Sequence, residues 1–191
     1  MAFLSEEALR QMGFKSLGTN VKISDKAAIY NAANISIGSN VRIDDFCILS
    51  AGEEGIELGN YIHIACYVSL IGKCKIVCED FVGISSRTAV YSSSDDYSGA
   101  VLVGPTIPDE YKRVDHRPVI FEKYSLIGAG CVILPGVIIG EGTAVGALSL
   151  ISKSLDQWGI YIGSPLKYIK RRKQDLVELA NKLVKEDLKT I

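Results

Sequence analysis

SLIGAGCVILPGVIIGEGTAVGALSLISK, residues 125–153, is a run in which one pattern returns every six residues. One register of the repeat holds Cys131, Val137, Thr143 and Ser149, and the other holds Ile127, Ile133, Ile139, Val145 and Ile151. Helices place apolar residues about every 3.6 positions, and ordinary strands about every two. A period of six, with glycines between the apolar residues, predicts instead very short strands that are separated by turns and stacked as a solenoid.

The same period runs through the N-terminal half of the chain. Its positions there are Ile23, Ile29, Ile35, Val41 and Cys47 in one register, and Ile37, Ile43 and Leu49 in the other. Three hexads would close one coil of a triangular prism whose interior is a stack of Ile and Val. We therefore expect an all-β fold with coils over residues 19–90 and 118–163. A sandwich of β-hairpins is the alternative, and it predicts uneven strands without a fixed register.

Three segments lie outside the repeat, within one domain that spans residues 1–191. The N-terminal segment 1–18 contains a short predicted helix, which Ser5 caps. Residues 91–117 have no period and are rich in Ser, Asp, Gly and Pro, which predicts an ordered loop that protrudes from the prism. Residues 164–191 carry leucines at helical spacing, which predicts an amphipathic helix that caps the prism or lies along its side.

Composition narrows the classes of protein to which the chain can belong. Its 191 residues carry a formal net charge of −1, and 48% of them are hydrophobic. The near-zero charge indicates no basic surface for nucleic acid. The sequence has no apolar run of the length of a membrane span and no N-terminal pattern of a secretory signal, so we expect a cytoplasmic protein. The one pair that suggests a metal is Cys74 and Cys78. Because no second pair or histidine cluster accompanies it, we expect no metal site.

Residues 126–153, followed by GSPLKYIKRR at 163–172, resemble the hexapeptide-repeat acyltransferases, and most of all their sugar acetyltransferase branch with the galactoside, maltose and O-antigen enzymes. The resemblance implies a left-handed parallel β-helix, a homotrimer with active sites between neighbouring subunits, and acetyl-CoA as donor. The opening at 14–50 and SDDYSG at 94–99 are similar to enzymes of surface-polysaccharide assembly that acetylate dTDP-4-amino-4,6-dideoxyglucose. On this resemblance we expect an N-acetyltransferase that acts on an amino-sugar nucleotide in lipopolysaccharide O-antigen biosynthesis.

The resemblance also assigns residues to the donor. Two small turn residues let the pantetheine arm approach the backbone, and a Ser-Lys pair and two later lysines match positions that meet the nucleotide end of CoA. These positions are Ala129, Ala147, Ser152, Lys153, Lys167 and Lys170. The family more often has arginine at the last two, and lysine supplies the charge without the bidentate geometry of a guanidinium.

The sequence leaves the proton acceptor open, because neither of the two histidines occupies the family's usual place at the start of the protruding loop. The candidates for catalysis are His116, with Asp115 nearby, and Asp95, Asp96 and His63. An amine is already nucleophilic and can pass its proton to the leaving thiolate, whereas a hydroxyl acceptor needs a base. The missing histidine therefore favours an amine acceptor.

Three further residues are candidates for contact with the acceptor. Asn60 and Ser69 are polar positions on the outer wall, and Tyr97 lies in the loop, where its ring can stack on a sugar or a base. Two other functions stay open, a sugar O-acetyltransferase of the galactoside type and a non-catalytic solenoid scaffold. A γ-class carbonic anhydrase is disfavoured, because its zinc needs three histidines and the chain has two.

Overall fold

A computed structural model describes residues 2–188 and confirms a solenoid of short parallel strands. The strands form three sheets, which are the faces of a triangular prism. Face 1 comprises Ser16–Leu17, Ile35–Ile37, Ile56–Leu58, Ile76–Cys78, Val119–Phe121 and Ile138–Ile139. Face 2 comprises Lys22–Ile23, Arg42–Ile43, His63–Ile64, Gly83–Ile84, Leu126–Ile127, Ala144–Val145, Gly159–Ile162 and Lys167–Arg171. Face 3 comprises Ala28–Tyr30, Ile48–Ala51, Ser69–Gly72, Ala89–Tyr91, Val132–Ile133 and Leu150–Ile151.

Successive coils stack in register, so each inward side chain lies on its equivalent in the next coil. On face 2, Ile23 pairs with Ile43, Ile43 with Ile64, and Ile127 with Val145. The coil is thus 18 residues long in the C-terminal part, as three hexads require, and 20 or 21 residues long in the N-terminal part. All five side chains are buried in one continuous core, and their removal from water is the main force that holds the coils together.

The corners of the prism carry an unusual backbone. The first corner joins face 1 to face 2, the second joins face 2 to face 3, and the third joins face 3 to face 1. Residues with positive φ lie at the first corner, at Asn20, Asn40, Tyr61, Phe81, Tyr124, Gly142 and Trp158, and at the second, at Phe46, Tyr67, Arg87, Gly130 and Leu148. This conformation is rare for bulky residues. It lets their rings stack from coil to coil, as Tyr61 does on Phe81 with centroids 4.6 Å apart.

A short N-terminal helix, α1, spans Glu6–Gln11, as the sequence predicted. Ser5 caps it, because its hydroxyl oxygen accepts the N–H of Ala8 at 3.2 Å. Leu9 is buried and joins the core at the first coil. Within the described part of the chain, no helix is long and apolar enough to cross a membrane.

The C-terminal helix is shorter than the prediction over 164–191. Lys167–Arg171 form a strand that pairs antiparallel with Gly159–Ile162, and helix α2 spans Asp175–Asp187. The prediction is wrong for the strand because the last parallel strand has a free edge, and pairing that edge outweighs the helical spacing. Residues 189–191 of the predicted helix lie outside the described residues.

Helix α2 lies along the side of the prism, against the first corner. Tyr61 donates its hydroxyl hydrogen to Oδ2 of Asp187 at 2.5 Å. Arg172, half-buried just before the helix, donates from Nη1 to the carbonyl oxygens of Tyr124 at 2.8 Å and of Gly142 at 2.9 Å. Burial lowers the pKa of Arg172. The helix therefore covers the aromatic residues of the first corner.

Residues 92–118 leave the prism at the third corner and form an ordered arm, which is the segment that the sequence predicted as a protruding loop. The base of the arm is an antiparallel pair of strands, Ser93–Asp95 and Val114–His116. A 3-10 helix at Asp109–Tyr111 lies farther along the arm, and another at Ala32–Asn34 forms the third corner of an early coil.

Candidate active site

The base of the arm gathers polar side chains on one surface. Ser93 lies directly opposite His116, and Asp95 lies directly opposite Val114. Because alternate residues of a strand share a face, these four side chains point to the same side, with Asp95 and His116 diagonal to each other. The structure thus brings together two of the four candidates for catalysis.

A serine holds His116. Its Nδ1 lies 2.8 Å from the hydroxyl oxygen of Ser93, which also accepts the backbone N–H of Lys73 at 2.8 Å. Asp115 binds Arg117 instead, with Nε 3.0 Å from Oδ1. Asp115 is the sequence neighbour of His116, but its side chain points to the opposite face of the strand.

The two adjacent aspartates of the arm differ in their surroundings. Oδ1 of Asp96 accepts the backbone N–H of Ser98 at 2.7 Å, and Oδ2 accepts Nε–H of Arg113 at 2.8 Å. The hydrogen bonds from Ser98 and Arg113 lower the pKa of Asp96 to about 2, so Asp96 is a weak proton acceptor near neutral pH. Among residues 2–188, no hydrogen bond or ion pair engages the carboxylate of Asp95.

His63 belongs to a separate cluster on face 2. Its Nε2 lies 2.8 Å from Oδ2 of Asp44, and Oδ1 of Asp44 accepts Nε–H of Arg42 at 2.7 Å. Partial burial opposes the charge of Asp44, but the hydrogen bonds from Arg42 and His63 outweigh it and keep the pKa of Asp44 below its usual value. Face 2 lies opposite the third corner, so a single prism does not bring His63 to the arm.

The two small residues assigned to pantetheine lie one above the other at the second corner. Leu148 donates its N–H to the carbonyl oxygen of Ala129 at 2.8 Å, which places Ala147 next to Ala129 in the neighbouring coil. Both alanines are exposed. A Cβ at Gly128 would lie 2.5 Å from the backbone nitrogen of Ala147, so the coils close together only with glycine there.

The four residues assigned to the nucleotide end of CoA are divided between two places. Lys167 and Lys170 lie on the antiparallel strand at the end of face 2, where Lys167 is opposite Ile162. The side chain of Ile162 packs on Gly146, so Lys167 is near the end of the second corner. Ser152 and Lys153 lie at the third corner and are exposed.

The three candidates for acceptor contact lie apart on a single prism. Asn60 is at the first corner, where its Nδ2 donates to Asp80 at 3.0 Å and its Oδ1 accepts the N–H of Ser39 at 2.8 Å. These bonds join neighbouring coils, so the amide of Asn60 already has a structural role. Ser69 lies on face 3, and Tyr97 is 93% exposed in the arm.

Three residues that hold the candidates were not foreseen from the sequence: Asp44, Ser93 and Arg113. A signal existed for the first, because Asp44 and His63 are 19 residues apart, close to the length of one coil. The other two partners depend on the hairpin of the arm, for which the aperiodic sequence gave no register.

The two cysteines that suggested a metal do not share a site. Cys78 is buried in the core, whereas the thiol of Cys74 lies 3.3 Å from Oε1 of Glu54 at the third corner. In the described residues, no three or more His, Cys, Asp or Glu side chains are placed to hold a metal ion.

Comparison with known proteins agrees with the solenoid fold. Residues 118–153 match the family of the bacterial transferase hexapeptide (six repeats). The chain is 50% identical over 179 residues to dTDP-4-amino-4,6-dideoxy-D-glucose acyltransferase of Escherichia coli, an alignment that covers 94% of this chain and 93% of that enzyme. It is also similar to AntD, an N-acyltransferase from Bacillus cereus solved with dTDP and 3-hydroxybutyryl-CoA, with 53% identity and a TM-score of 0.91 over 96% of this chain and 97% of AntD.

A second structure of AntD, a variant in complex with dTDP-4-amino-4,6-dideoxyglucose and coenzyme A, has a TM-score of 0.93 to this chain at 52% identity, and covers 96% of this chain and 97% of its own. Because it covers 96% of the chain, the comparison includes the arm as well as the repeat. The chain belongs to the hexapeptide-repeat acyltransferases, in the group that contains the Escherichia coli enzyme and AntD.

Proposed function

We propose that this protein is an acyl-CoA-dependent N-acyltransferase that acylates the 4-amino group of dTDP-4-amino-4,6-dideoxyglucose. The observation that carries the proposal is the 50% identity to the Escherichia coli enzyme over 94% of the chain. AntD, a similar N-acyltransferase, has been solved with this amino sugar and coenzyme A. An amine acceptor also agrees with the absence of a histidine at the start of the arm.

The chemistry needs little from the protein beyond alignment and one proton acceptor. The neutral amine nitrogen attacks the thioester carbonyl, an N–C bond forms, and the C–S bond breaks as the carbonyl is restored. The nitrogen loses one proton and the leaving thiolate gains one, so the products are an amide and free CoA. Holding the two substrates in line supplies a large part of the rate.

We assign the transfer of this proton to Asp95. Its carboxylate is unengaged in the described chain, and it shares a surface with His116 at the base of the arm. Asp96 is less suited because Arg113 already binds it. His63 lies on the opposite side of the prism. A positioned base of this kind contributes roughly 10²- to 10⁴-fold to the rate.

We propose acetyl-CoA as the donor, as the sugar acetyltransferase branch implies, with 3-hydroxybutyryl-CoA, the ligand of AntD, as its rival. The pantetheine arm lies along Ala129 and Ala147, and Lys167 and Lys170 meet the phosphates at its nucleotide end. Ser152 and Lys153 lie at another corner, so they serve CoA that is bound mainly to a neighbouring subunit.

We also propose that three copies assemble, with the active sites between them. The outward positions of face 3 form a column that is apolar at every position except Ser69: Ala28, Ile48, Ser69, Ala89, Val132 and Leu150. An aligned apolar surface of this kind favours contact with another protein surface. Such contact unites groups that a single prism holds apart. Because CoA thioesters and nucleotide sugars are cytoplasmic metabolites, we place the reaction in the cytoplasm.

Thiol release tests the proposal. The purified protein is given acetyl-CoA or 3-hydroxybutyryl-CoA together with dTDP-4-amino-4,6-dideoxyglucose, or with dTDP-glucose as the hydroxyl-only counterpart. We expect release with the amino sugar alone, and a product heavier by one acyl group in mass spectrometry. Release with dTDP-glucose would indicate O-acylation. If no thiol is released with any acceptor while CoA still binds, the proposed acceptor is refuted. If the protein does not bind CoA, a non-catalytic scaffold is favoured.

A further inference from the structure

Four side chains at the second corner form a continuous stack, which we call the corner column: Lys26, Phe46, Tyr67 and Arg87. Nζ of Lys26 lies 5.6 Å from the centroid of the Phe46 ring. The rings of Phe46 and Tyr67 stack with centroids 4.9 Å apart and an angle of 23°. Cζ of Arg87 lies 5.1 Å from the centroid of Tyr67. Each residue comes from a different coil, so the column runs parallel to the axis of the prism.

The corner column is exposed, unlike the aromatic residues of the first corner. Helix α2 covers the first corner, and Trp158 there is 6% exposed. Phe46 and Tyr67 are 46% and 49% exposed. Both corners use the same left-handed backbone to present rings, but among residues 2–188 a helix covers only the first corner. Adjacent exposed aromatic rings, flanked by cations, indicate a surface that meets a ligand.

Charge distinguishes the two ends of the corner column. Lys26 at one end is paired with Asp45, at 3.4 Å. Arg87 at the other end stacks on Tyr67, and no carboxylate among residues 2–188 pairs with it. A guanidinium that is fixed on a ring keeps its planar fork of N–H donors available, and this fork matches the oxygens of a phosphate or diphosphate. The free positive charge of the column is therefore at Arg87.

The corner column continues the line of the donor residues. Gly130 donates its N–H to the carbonyl oxygen of Ser86 at 2.9 Å, which places Ala129 and Arg87 at the same corner of adjacent coils. Neighbouring strands are about 4.8 Å apart, so the four steps from the coil of Ala129 to that of Lys26 span about 19 Å. This length accommodates a hexose, a diphosphate and a nucleoside in an extended form.

We propose that the corner column binds the nucleotide part of the acceptor, with Arg87 on the diphosphate and with Tyr67 and Phe46 against the nucleoside. The inference rests on the proposed function, in that the acceptor is a nucleotide sugar. CoA also carries a diphosphate, but its assigned residues lie on the C-terminal side of Ala129. Donor and acceptor then lie end to end along one corner, with the thioester near the coil of Ala129 and the amine between Ala129 and the diphosphate.

Calorimetric titration tests the corner column, with dTDP and CoA as separate probes. Arg87→Asn removes the cation and keeps a residue that tolerates positive φ. We expect the Kd for dTDP to rise about tenfold or more, as for the loss of a charged hydrogen bond, and the Kd for CoA to stay unchanged. Arg87→Lys keeps the charge without the fork and should fall between. Lys123→Gln, an exposed lysine at the first corner, is the matched control and should change neither Kd.

Three results would overturn the inference: unchanged dTDP affinity in Arg87→Asn, loss of CoA affinity in place of dTDP affinity, or a change in subunit number by light scattering, which would make the corner column a subunit contact. Tyr67→Asn provides a second variant, and unfolding temperatures check that each variant is folded. The two proposals fail separately. If Arg87→Asn weakens dTDP binding but the wild-type protein acylates no amino sugar, only the proposed function is contradicted. If the enzyme is active but Arg87→Asn binds dTDP as tightly as the wild type does, only the inference is contradicted.

Discussion

His116 and Ser93 face each other across the two strands of the arm, with Nδ1 and Oγ 2.8 Å apart. Because Ser93 also accepts the backbone N–H of Lys73, this contact ties the returning strand of the arm to the corner of the neighbouring coil. His116 therefore helps to attach the arm to the prism, and it is also a diagonal neighbour of Asp95. Substitution can separate these two roles.

His116→Asn retains a side chain that can hydrogen-bond to Ser93 but cannot act as a base near neutral pH. If Asp95 accepts the proton, we expect this variant to keep kcat within tenfold of the wild type. Asp95→Asn should lower kcat by roughly 10²- to 10⁴-fold, the usual contribution of a positioned base. Steady-state kinetics between pH 6 and pH 9 measure both. An equal loss in the two variants would instead make His116 part of the proton transfer.

The Asp96–Arg113 ion pair is predicted to stabilise the folded arm over a wide pH range. The folded pKa of Asp96, about 2, lies below the ordinary 3.8, so ionised Asp96 favours the folded arm. That contribution is complete above about pH 4 and is lost as the pH falls through 2. Asp96→Asn removes it at pH 7, so cleavage after Glu110 by a glutamate-specific protease should become faster. Asp115→Asn breaks a more exposed pair of the arm, with Arg117, and serves as the control. Equal cleavage of Asp96→Asn and wild type would contradict the prediction.

Two glycines at equivalent corner positions should differ in their tolerance of a methyl group. Gly142 and Gly130 have φ of +65° and +70°, so alanine is strained in both. A Cβ at Gly142 collides with the ring of Trp158, which is buried, whereas a Cβ at Gly130 meets only the end of the exposed side chain of Leu148. We expect Gly142→Ala to be less stable than Gly130→Ala by about 1–3 kcal/mol, the usual cost of overpacking. Thermal unfolding measures the difference, and equal stability would show that Trp158 moves aside.

The repeat made the faces of the prism predictable, because period and burial obey one rule in every coil. Ile127 and Val145 were assigned to the core from their spacing, and both are buried. Pairings outside the repeat were not predictable. The strand Lys167–Arg171 forms because the last parallel strand, Gly159–Ile162, has an unpaired edge. The contact of His116 with Ser93 forms because the two strands of the arm pair with each other. Such partners depend on tertiary contacts that no local pattern records.

Assembly can be tested through the apolar column of face 3. Ile48 points outward and is 38% exposed, so Ile48→Lys leaves the core intact and places a charge in the proposed subunit contact. Burying an unpaired ammonium is costly, and we expect the mass measured by light scattering to fall from three chains to one. Ser36→Lys, at an outward position of face 1, is the control and should keep the mass. Acyl transfer should fall together with the mass, because the proposed active site combines groups from two subunits. A variant that keeps both its mass and its activity would place the contact on another face.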